Sequence, residues 1–547
     1  MNRILFWSLA CLAACSRLLD PAYGAEIPSG GAVPSFRELE SEGARVGRVR
    51  VDAANIFDLS DPREDNWIFR LVNALHIGTR PVVIERVLLF KTGDRVSQRV
   101  IDETERLLRA NRFLYDVDIR PVAYHDGVVD IDVITRDTWT IDFSGQYSRS
   151  GGANTSRFGL KDYNFLGTAL RLGVSHTSNT DRHGSEYEVS YPQAFDGWTN
   201  VSYFRGVYDD GSRKTASVSR PFYALDTRWA AGVSWDDQQR VDSIYNAGDV
   251  VSKYRHHART GEAYGGWSPG LVGGLAQRYS AGVSIQDDSY AVDPGAAAPT
   301  AFPVDNRARG PFVRYEVVED RFVKTRNRDQ IARTEFVALG FNSRVQVTRS
   351  LEGLGATRPA WLYSASVSNG FSFSWGHDLL AAASAERRVA SAGGTFTQLS
   401  TSLRYYAPQS THAAFYGAFT ADRVGTVAAP DQLLLGGDNG LRGYPLRYQS
   451  GEQRALLTLE QRGYTDWYIF RLLRVGGAVF YDAGRAWRGV NQNAVNGGWL
   501  QDVGIGLRLS LDRTAFANVL HADIAVPLDR AAGIKSVQYL VKTQLTF

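Results

Sequence analysis

The chain has 547 residues, too many for one ordinary globular domain of about 100–200 residues. A formal net charge of +3 with 12% aromatic residues excludes a disordered chain and gives no basic signature of nucleic-acid binding. No stretch of 18 consecutive apolar residues occurs, which excludes a spanning helix, while 26 Tyr, 26 Phe, 12 Trp and 53 Gly favour β-structure.

The first element is an address. Arg3 precedes the apolar stretch Ile4–Ala14, too short to span a bilayer and suited to a secretory signal. Two processing sites compete. Ala22-Tyr23-Gly24 sets small residues before Ala25 and gives a signal peptide of residues 1–24, the favoured reading because Ser16–Gly24 forms a c-region. Leu12-Ala13-Ala14-Cys15 instead resembles a lipobox that would leave Cys15 lipidated. Cys11 and Cys15 are the only cysteines, so no intramolecular disulfide is expected in the mature fold.

Residues 25–44 carry Pro28, Ser29, Gly30, Gly31 and Pro34 and read as a flexible tether. Residues 45–137 mix α and β patterns. Val46–Val51 alternates like a strand. Trp67, Ile68, Leu71, Val72 and Leu75 are spaced for one helical face, and Ser97 reads as the N-cap of a helix to about Ala110. In that helix Val100, Ile101, Leu107 and Leu108 face a core, with Asp102, Glu103, Glu105 and Arg106 outside. Tyr115–Pro121 and Gly127–Ile134 read as strands joined through His125-Asp126-Gly127, an Asp-Gly hairpin signal. The unit is one strand, two helices and two strands.

From residue 138 to 547 helical periodicity disappears and period-2 alternation takes over. In Asp502–Asp512, Val503, Ile505, Leu507, Leu509 and Leu511 share one face, and Asp502, Gly504, Gly506, Arg508, Ser510 and Asp512 the other. Leu520, Ala522, Ile524 and Val526 alternate with His521 and Asp523; at the end Tyr539, Val541, Leu545 and Phe547 alternate with Lys542, Gln544 and Thr546. A soluble sandwich shows the same alternation. A secretory signal, segments of about ten residues and the size of the region point instead to a transmembrane antiparallel β-barrel, which pairs every backbone amide in hydrocarbon without leaving an edge. Segmentation gives nearer 20 strands than 16, since Arg309–Val347 and Pro359–Ala407 each contain several plausible ones, with Asp293–Arg309 and Gln238–His257 read as loops.

The most informative stretch is Leu433–Tyr448, LLLGGDNGLRGYPLRY, followed by Leu457–Arg462 and then Val479–Gly484. Leu441-Arg442-Gly443-Tyr444 and Phe480-Tyr481-Asp482-Ala483-Gly484, in this order, resemble the two hallmark motifs of the BamA/TamA-like outer-membrane assembly and secretion factors. Asp162-Tyr163-Asn164-Phe165-Leu166-Gly167 resembles a turn of the same family. The resemblance covers nearly the whole mature chain. It implies one POTRA domain over residues 45–137 in the periplasm and a barrel over 138–547 in the outer membrane, usually of 16 strands. It also implies a long loop folded into the lumen, where Arg442 meets Asp482 and Glu460 while Gly440 and Gly443 permit the turn and Tyr444 packs alongside. Phe480 and Gly484 complete the second motif. The clasp either rigidifies the barrel or takes part in transport, and the two roles are compatible. Tyr539 and Phe547 resemble the terminal signal by which barrels are recognised for assembly; anchoring in an interfacial aromatic belt is the other reading of Phe547.

Other signals carry less. Gly266-Trp267-Ser268-Pro269-Gly270 matches G-x-S-x-G but lacks the strand–turn–helix setting of a hydrolase elbow. His256-His257 is not at metal-ligand spacing and reads as a solvated loop. Asp209-Asp210, Asp236-Asp237 and Asp287-Asp288 fit turn chemistry. The expectation is therefore a non-enzyme without cofactor or metal that inserts or translocates polypeptides. Its partners are outer-membrane lipids, unfolded barrel or secreted clients and periplasmic accessory proteins, with no nucleic acid. The alternatives are a two-partner secretion transporter and a passive structural pore plugged by its own loop.

Overall fold

The computed structural model describes residues 33–390, 395–425, 432–488, 497–515, 519–529 and 534–544. The expected signal, Cys15 and Phe547 lie outside the described residues.

A small α/β domain comes first. The expected tether contains a helix, α1 (Phe36–Ser41). The Ser35 hydroxyl accepts from the Glu38 N–H and the Glu38 carboxylate accepts from the Ser35 N–H, a capping box; Phe36 and Leu39 are buried in the domain core. The Pro and Gly residues upstream obscured the Ser-x-x-Glu start signal at residues 35–38. After β1 (Arg45–Ala54) come three helices rather than two, α2 (Trp67–Leu75), α3 (Pro81–Glu85) and α4 (Gln98–Arg109), then β2 (Leu114–His125) and β3 (Val128–Asp137). The sheet order is β1-β3-β2, with β1 parallel to β3 and β2 antiparallel to it. Asp126 and Gly127, at φ 52° and 77°, turn the β2–β3 hairpin, as Asp-Gly chemistry dictates.

Two helices depart from the expected patterning. In α2, Phe69 turns inward and stacks on Phe57 at 3.8 Å, while Trp67, Ile68, Leu71 and Leu75 are exposed. In α4, Ile101 and Leu108 are buried as periodicity requires, but so is Glu103, expected at the surface. Its carboxylate accepts from the Leu225 N–H at 2.9 Å, in a turn of the barrel, and from Arg99 at 3.0 Å. Burial pushes the Glu103 carboxyl above its ordinary pKa despite these donors. The Ser97 side chain makes no capping hydrogen bond.

Twenty long antiparallel strands follow and close into a barrel, from Ile141–Ser150 to Gln538–Gln544, with the two-residue strand Leu271–Val272 beside one of them. Along Leu500–Leu511, Val503, Ile505, Leu507 and Leu511 are exposed and Asp502, Arg508 and Ser510 are buried. The outside is apolar and the inside charged, the reverse of a soluble protein and the pattern of a barrel in lipid. Among the described residues no helix is long and apolar enough to cross a membrane. Strands do the crossing.

The strand count exceeds the 16 that the resemblance implied. Gln238–His257 is no loop: Trp229–Asn246 and Asp249–Trp267 pair continuously and only Ala247 and Gly248 turn. His256 is consequently buried on a strand, held by Asp242 at 2.8 Å and Asp288 at 3.1 Å. The region read as several barrel strands between residues 309 and 347 includes one pair that leaves the wall. Phe322–Arg326 and Thr334–Ala338 form a separate hairpin between Asn306–Glu319 and Asn342–Ser350. The G-x-S-x-G stretch lies at a strand end and turn, with Ser268 buried and accepting from the Gly270 N–H.

The domain sits against one mouth of the barrel. The turn at Asp162–Gly167 docks it: Asn164 donates to the Thr79 hydroxyl at 2.8 Å, and the Thr79 N–H and hydroxyl donate to Asp137 at 2.7 and 2.8 Å. Gly167 accepts from the Arg80 N–H at 3.0 Å. Its φ is +69°, and a Cβ there would lie 2.2 Å from the Gly78 carbonyl oxygen. Gly167→Ala is expected to loosen docking by about 1–3 kcal/mol through strain and clash. Faster proteolysis between residues 76 and 80, with unchanged heat-modifiable mobility of the barrel on gels, would register it.

Candidate functional site: the lumen clasp

Chain geometry explains why the inner wall carries charge. Period 2 turns Thr458, Glu460 and Arg462 to one face of Gln453–Ile469, and Phe480, Asp482 and Gly484 to the matching face of Leu473–Trp487. The register sets Glu460 opposite Phe480 and Thr458 opposite Asp482. Between residues 425 and 453 the chain leaves the wall; Leu433–Leu435 pairs with Gln449–Gly451, and the stretch between them folds inward.

Arg442 ends among carboxylates. Its Nε and Nη2 donate to the two oxygens of Asp482 at 2.6 and 2.9 Å, and its Nη1 donates to Glu460 at 2.8 Å. Asp523 stands 3.5 Å from Nη1. The guanidinium lies 3.4 Å above the centre of the Phe480 ring. Its side chain is 9% exposed and that of Asp482 is 0%. A planar fork grips one carboxylate bidentately, covers an aromatic face and keeps a third nitrogen for another acid, a set that an ammonium cannot match.

The neighbours of Arg442 each have a packing role. Leu441 and Tyr444 are buried with Leu435, Tyr448 and Leu500. The Tyr444 hydroxyl donates to the Gln501 carbonyl at 2.9 Å and accepts from the Gln501 N–H at 3.1 Å. Gly440 has φ +110° and makes the turn. Gly443 was expected to share that task but has no positive φ; it is needed for space, since its Cβ would meet that of Asp502 at 2.6 Å. Gly484 serves similarly, with Leu435 2.9 Å from a Cβ placed there. Tyr539 is exposed on the last strand.

The cluster is larger than the motif pair. Arg462 donates to the second oxygen of Glu460 at 3.0 Å, and Arg508 donates to Asp523. Asp502 is buried opposite Asp482 in the register. Arg508, Asp502 and Asp523 sat on the polar side of alternating strands, so period 2 marked them as inward-facing without saying that they converge on Arg442.

From the cluster a chain of contacts runs toward the domain. Arg462 Nη1 donates to the Arg328 carbonyl at 2.8 Å, and the Tyr464 hydroxyl donates to the Asn327 carbonyl at 2.8 Å. Both acceptors lie at the tip of the Phe322–Ala338 hairpin, whose Ile331 is buried against Tyr464 and Ala478. At the hairpin base Lys324 meets Glu105 at 2.8 Å, and Arg106 lies 3.6 Å over Phe322. The same loop that holds Arg442 is thereby connected, through side chains, to helix α4.

At the far mouth a second cation ties the loop across the opening. Arg447 donates to both oxygens of Asp181 at 2.6 Å, in the turn after Leu170–Ser178, and stacks 4.5 Å over Tyr245. The guanidinium bonds hold the Asp181 carboxyl below its ordinary pKa.

Fold and lumen contacts define a class: a membrane-spanning β-barrel fastened from within by its own loop, with an α/β domain docked at one mouth. No protein-family model matches the chain, and no curated protein does. Solved structures do. BamA from Haemophilus ducreyi lacking POTRA domains 1–3 is 14% identical at a TM-score of 0.41, over 91% of this chain and 84% of that one. CdiB from Acinetobacter baumannii is 12% identical at 0.45 over 91% and 73%, and CdiB from Escherichia coli 14% at 0.46 over 92% and 76%.

Removing the clasp cation strands buried carboxylates. Arg442→Ala is expected to cost about 3–5 kcal/mol in barrel stability, and Arg442→Lys to recover only part of it because the fork is lost. Urea midpoints of the folded barrel, read by gel mobility, measure both. The mouth clamp has its own signature. A depressed carboxyl pKa means that Asp181–Arg447 contributes fully above the unfolded value of about 3.9 and is lost as pH falls through the folded value. Single-barrel conductance should become noisier at acid pH, and Asp181→Asn should show that noise already at neutral pH.

Proposed function

We propose that the chain is an outer-membrane insertase or translocase of polypeptides, with its α/β domain acting as a POTRA domain in the periplasm. The observation that carries this reading is the barrel seam. Among the described residues, the last wall strand, Gln538–Gln544, meets the first, Ile141–Ser150, at Val541 and Arg149, and there the wall closes. The junction of first and last strands is the one place where the wall can open without breaking a hairpin, and an edge opened there offers backbone donors and acceptors to an incoming strand, a general mode of recognition. The lumen, by contrast, is occupied by loop and hairpin, which favours action at the wall over passive conduction.

In this reading β2, an edge strand of the domain sheet, receives extended clients or accessory proteins by strand addition, and α4 and the hairpin relay the event to the clasp. The chain acts without catalysis, on unfolded barrel or secreted clients and in contact with outer-membrane lipids. Secretion through the lumen is the second reading, favoured by the width of a twenty-strand barrel; it requires loop and hairpin to leave.

The test is reconstitution in liposomes with an unfolded barrel client. Folding of the client is expected to accelerate, and a disulfide between Arg149→Cys and Val541→Cys should abolish the acceleration until reductant is added. Acceleration unaffected by the locked seam overturns the edge mechanism, and no acceleration with any client favours the passive pore.

A further inference from the structure

Helix α2 carries an apolar face that the domain does not bury. Trp67 is 73% exposed and Leu75 64%, and Ile68 and Leu71 are exposed between them. At 100° per residue these four share one side of the helix. The opposite side is accounted for: Phe69 stacks on Phe57, and Trp139 and Leu472 pack against that pair. Asn73 accepts from the Phe57 N–H at 3.1 Å and donates to its carbonyl at 2.9 Å. The exposed side is therefore not a misplaced core face. A four-residue apolar stripe on a helix fixed by its other side needs a partner.

The helix is held at the level of the barrel rim. Leu472, which packs beneath it, belongs to a turn whose Phe470 is 83% exposed. Just past its C-terminus, Arg80 donates to Gly167, in the turn that carries exposed Leu166. Exposed apolar side chains on the outside of such a barrel face lipid. Helix α2 is thus tied to two barrel turns that themselves expose apolar side chains, Phe470 and Leu166. A helix with one apolar face tipped by Trp, lying flat rather than crossing, has the form of an interfacial anchor.

We infer that α2 lies in the near leaflet of the membrane, its Trp67–Leu75 face seated in lipid beside the barrel seam, so that the domain is held by the bilayer as well as by its protein contacts. The inference rests on the proposed placement of barrel and domain. Its occupant is lipid; cover by protein, whether a second copy of the chain or the segment before residue 33, is an outcome that the test tells apart from lipid.

The experiment uses the full chain with Cys11 and Cys15 replaced by alanine, reconstituted in phosphatidylethanolamine–phosphatidylglycerol vesicles. Single nitroxides are attached at Leu71→Cys, Leu75→Cys, Val313→Cys on the outward barrel face and Arg120→Cys on β2. Collision rates with oxygen, which enters lipid, and with a water-soluble nickel complex are compared. Labels at positions 71 and 75 are expected to match position 313, with high oxygen and low nickel collision. A match to position 120 at both helix positions overturns the inference while leaving the barrel intact. Low collision with both reagents also overturns it, in favour of a protein cover. A water-like label at position 313 sinks the barrel placement together with this inference. Two helix positions guard against one label disturbing the fold, which heat-modifiable gel mobility checks.

Discussion

A guanidinium buried among carboxylates organises this molecule. Arg442 is held by Asp482, Glu460 and the ring of Phe480, in a lumen where a lone charge would be far costlier than any of these bonds is favourable. Asp482 and Glu460 face inward on neighbouring strands, and the loop delivers a cation between them, beside those that the wall itself supplies at Arg462 and Arg508. Leu441, Tyr444 and the three close-fitting glycines 440, 443 and 484 are the packing that lets the guanidinium reach. Each partner in this arrangement would be a liability alone.

That interdependence makes the clasp a credible place to store two states. Glu460 is shared between Arg442 and Arg462, and Arg462 also holds the hairpin through the Arg328 carbonyl. A shift of the hairpin by α4 would change the competition for Glu460 without touching the loop directly. The physical element is a carboxylate contested by Arg442 from the loop and by Arg462 and Arg508 from the wall.

Much of this was legible in the chain. The alternation over Asp502–Asp512 set which residues face lipid, and the resemblance carried by Leu441–Tyr444 and Phe480–Gly484 implied that Arg442 meets Asp482 and Glu460 at the centre of the clasp. Three things were not legible. Period 2 assigns a face but not a convergence point, so Asp523 and Arg508 stood unconnected to Arg442. Charged, turn-rich stretches look like loops when strands overshoot the bilayer, which hid the continuous hairpin around His256. The periodicity of α2 reported a single apolar face correctly as a pattern, yet a pattern cannot say whether protein or some other medium covers it. The hairpin at Phe322–Ala338 was counted with the wall because short alternating runs look alike in or out of a barrel.

Barrel diameter grows roughly in proportion to strand number, so twenty strands enclose about half as much cross-section again as sixteen. A membrane whose purpose is to exclude antibiotics and detergents could not tolerate that bore left open. The Phe322–Ala338 hairpin takes up part of that section, since its Asn327 and Arg328 carbonyls meet Tyr464 and Arg462 on the inner wall, so the extra width of four strands is partly filled by the chain's own backbone.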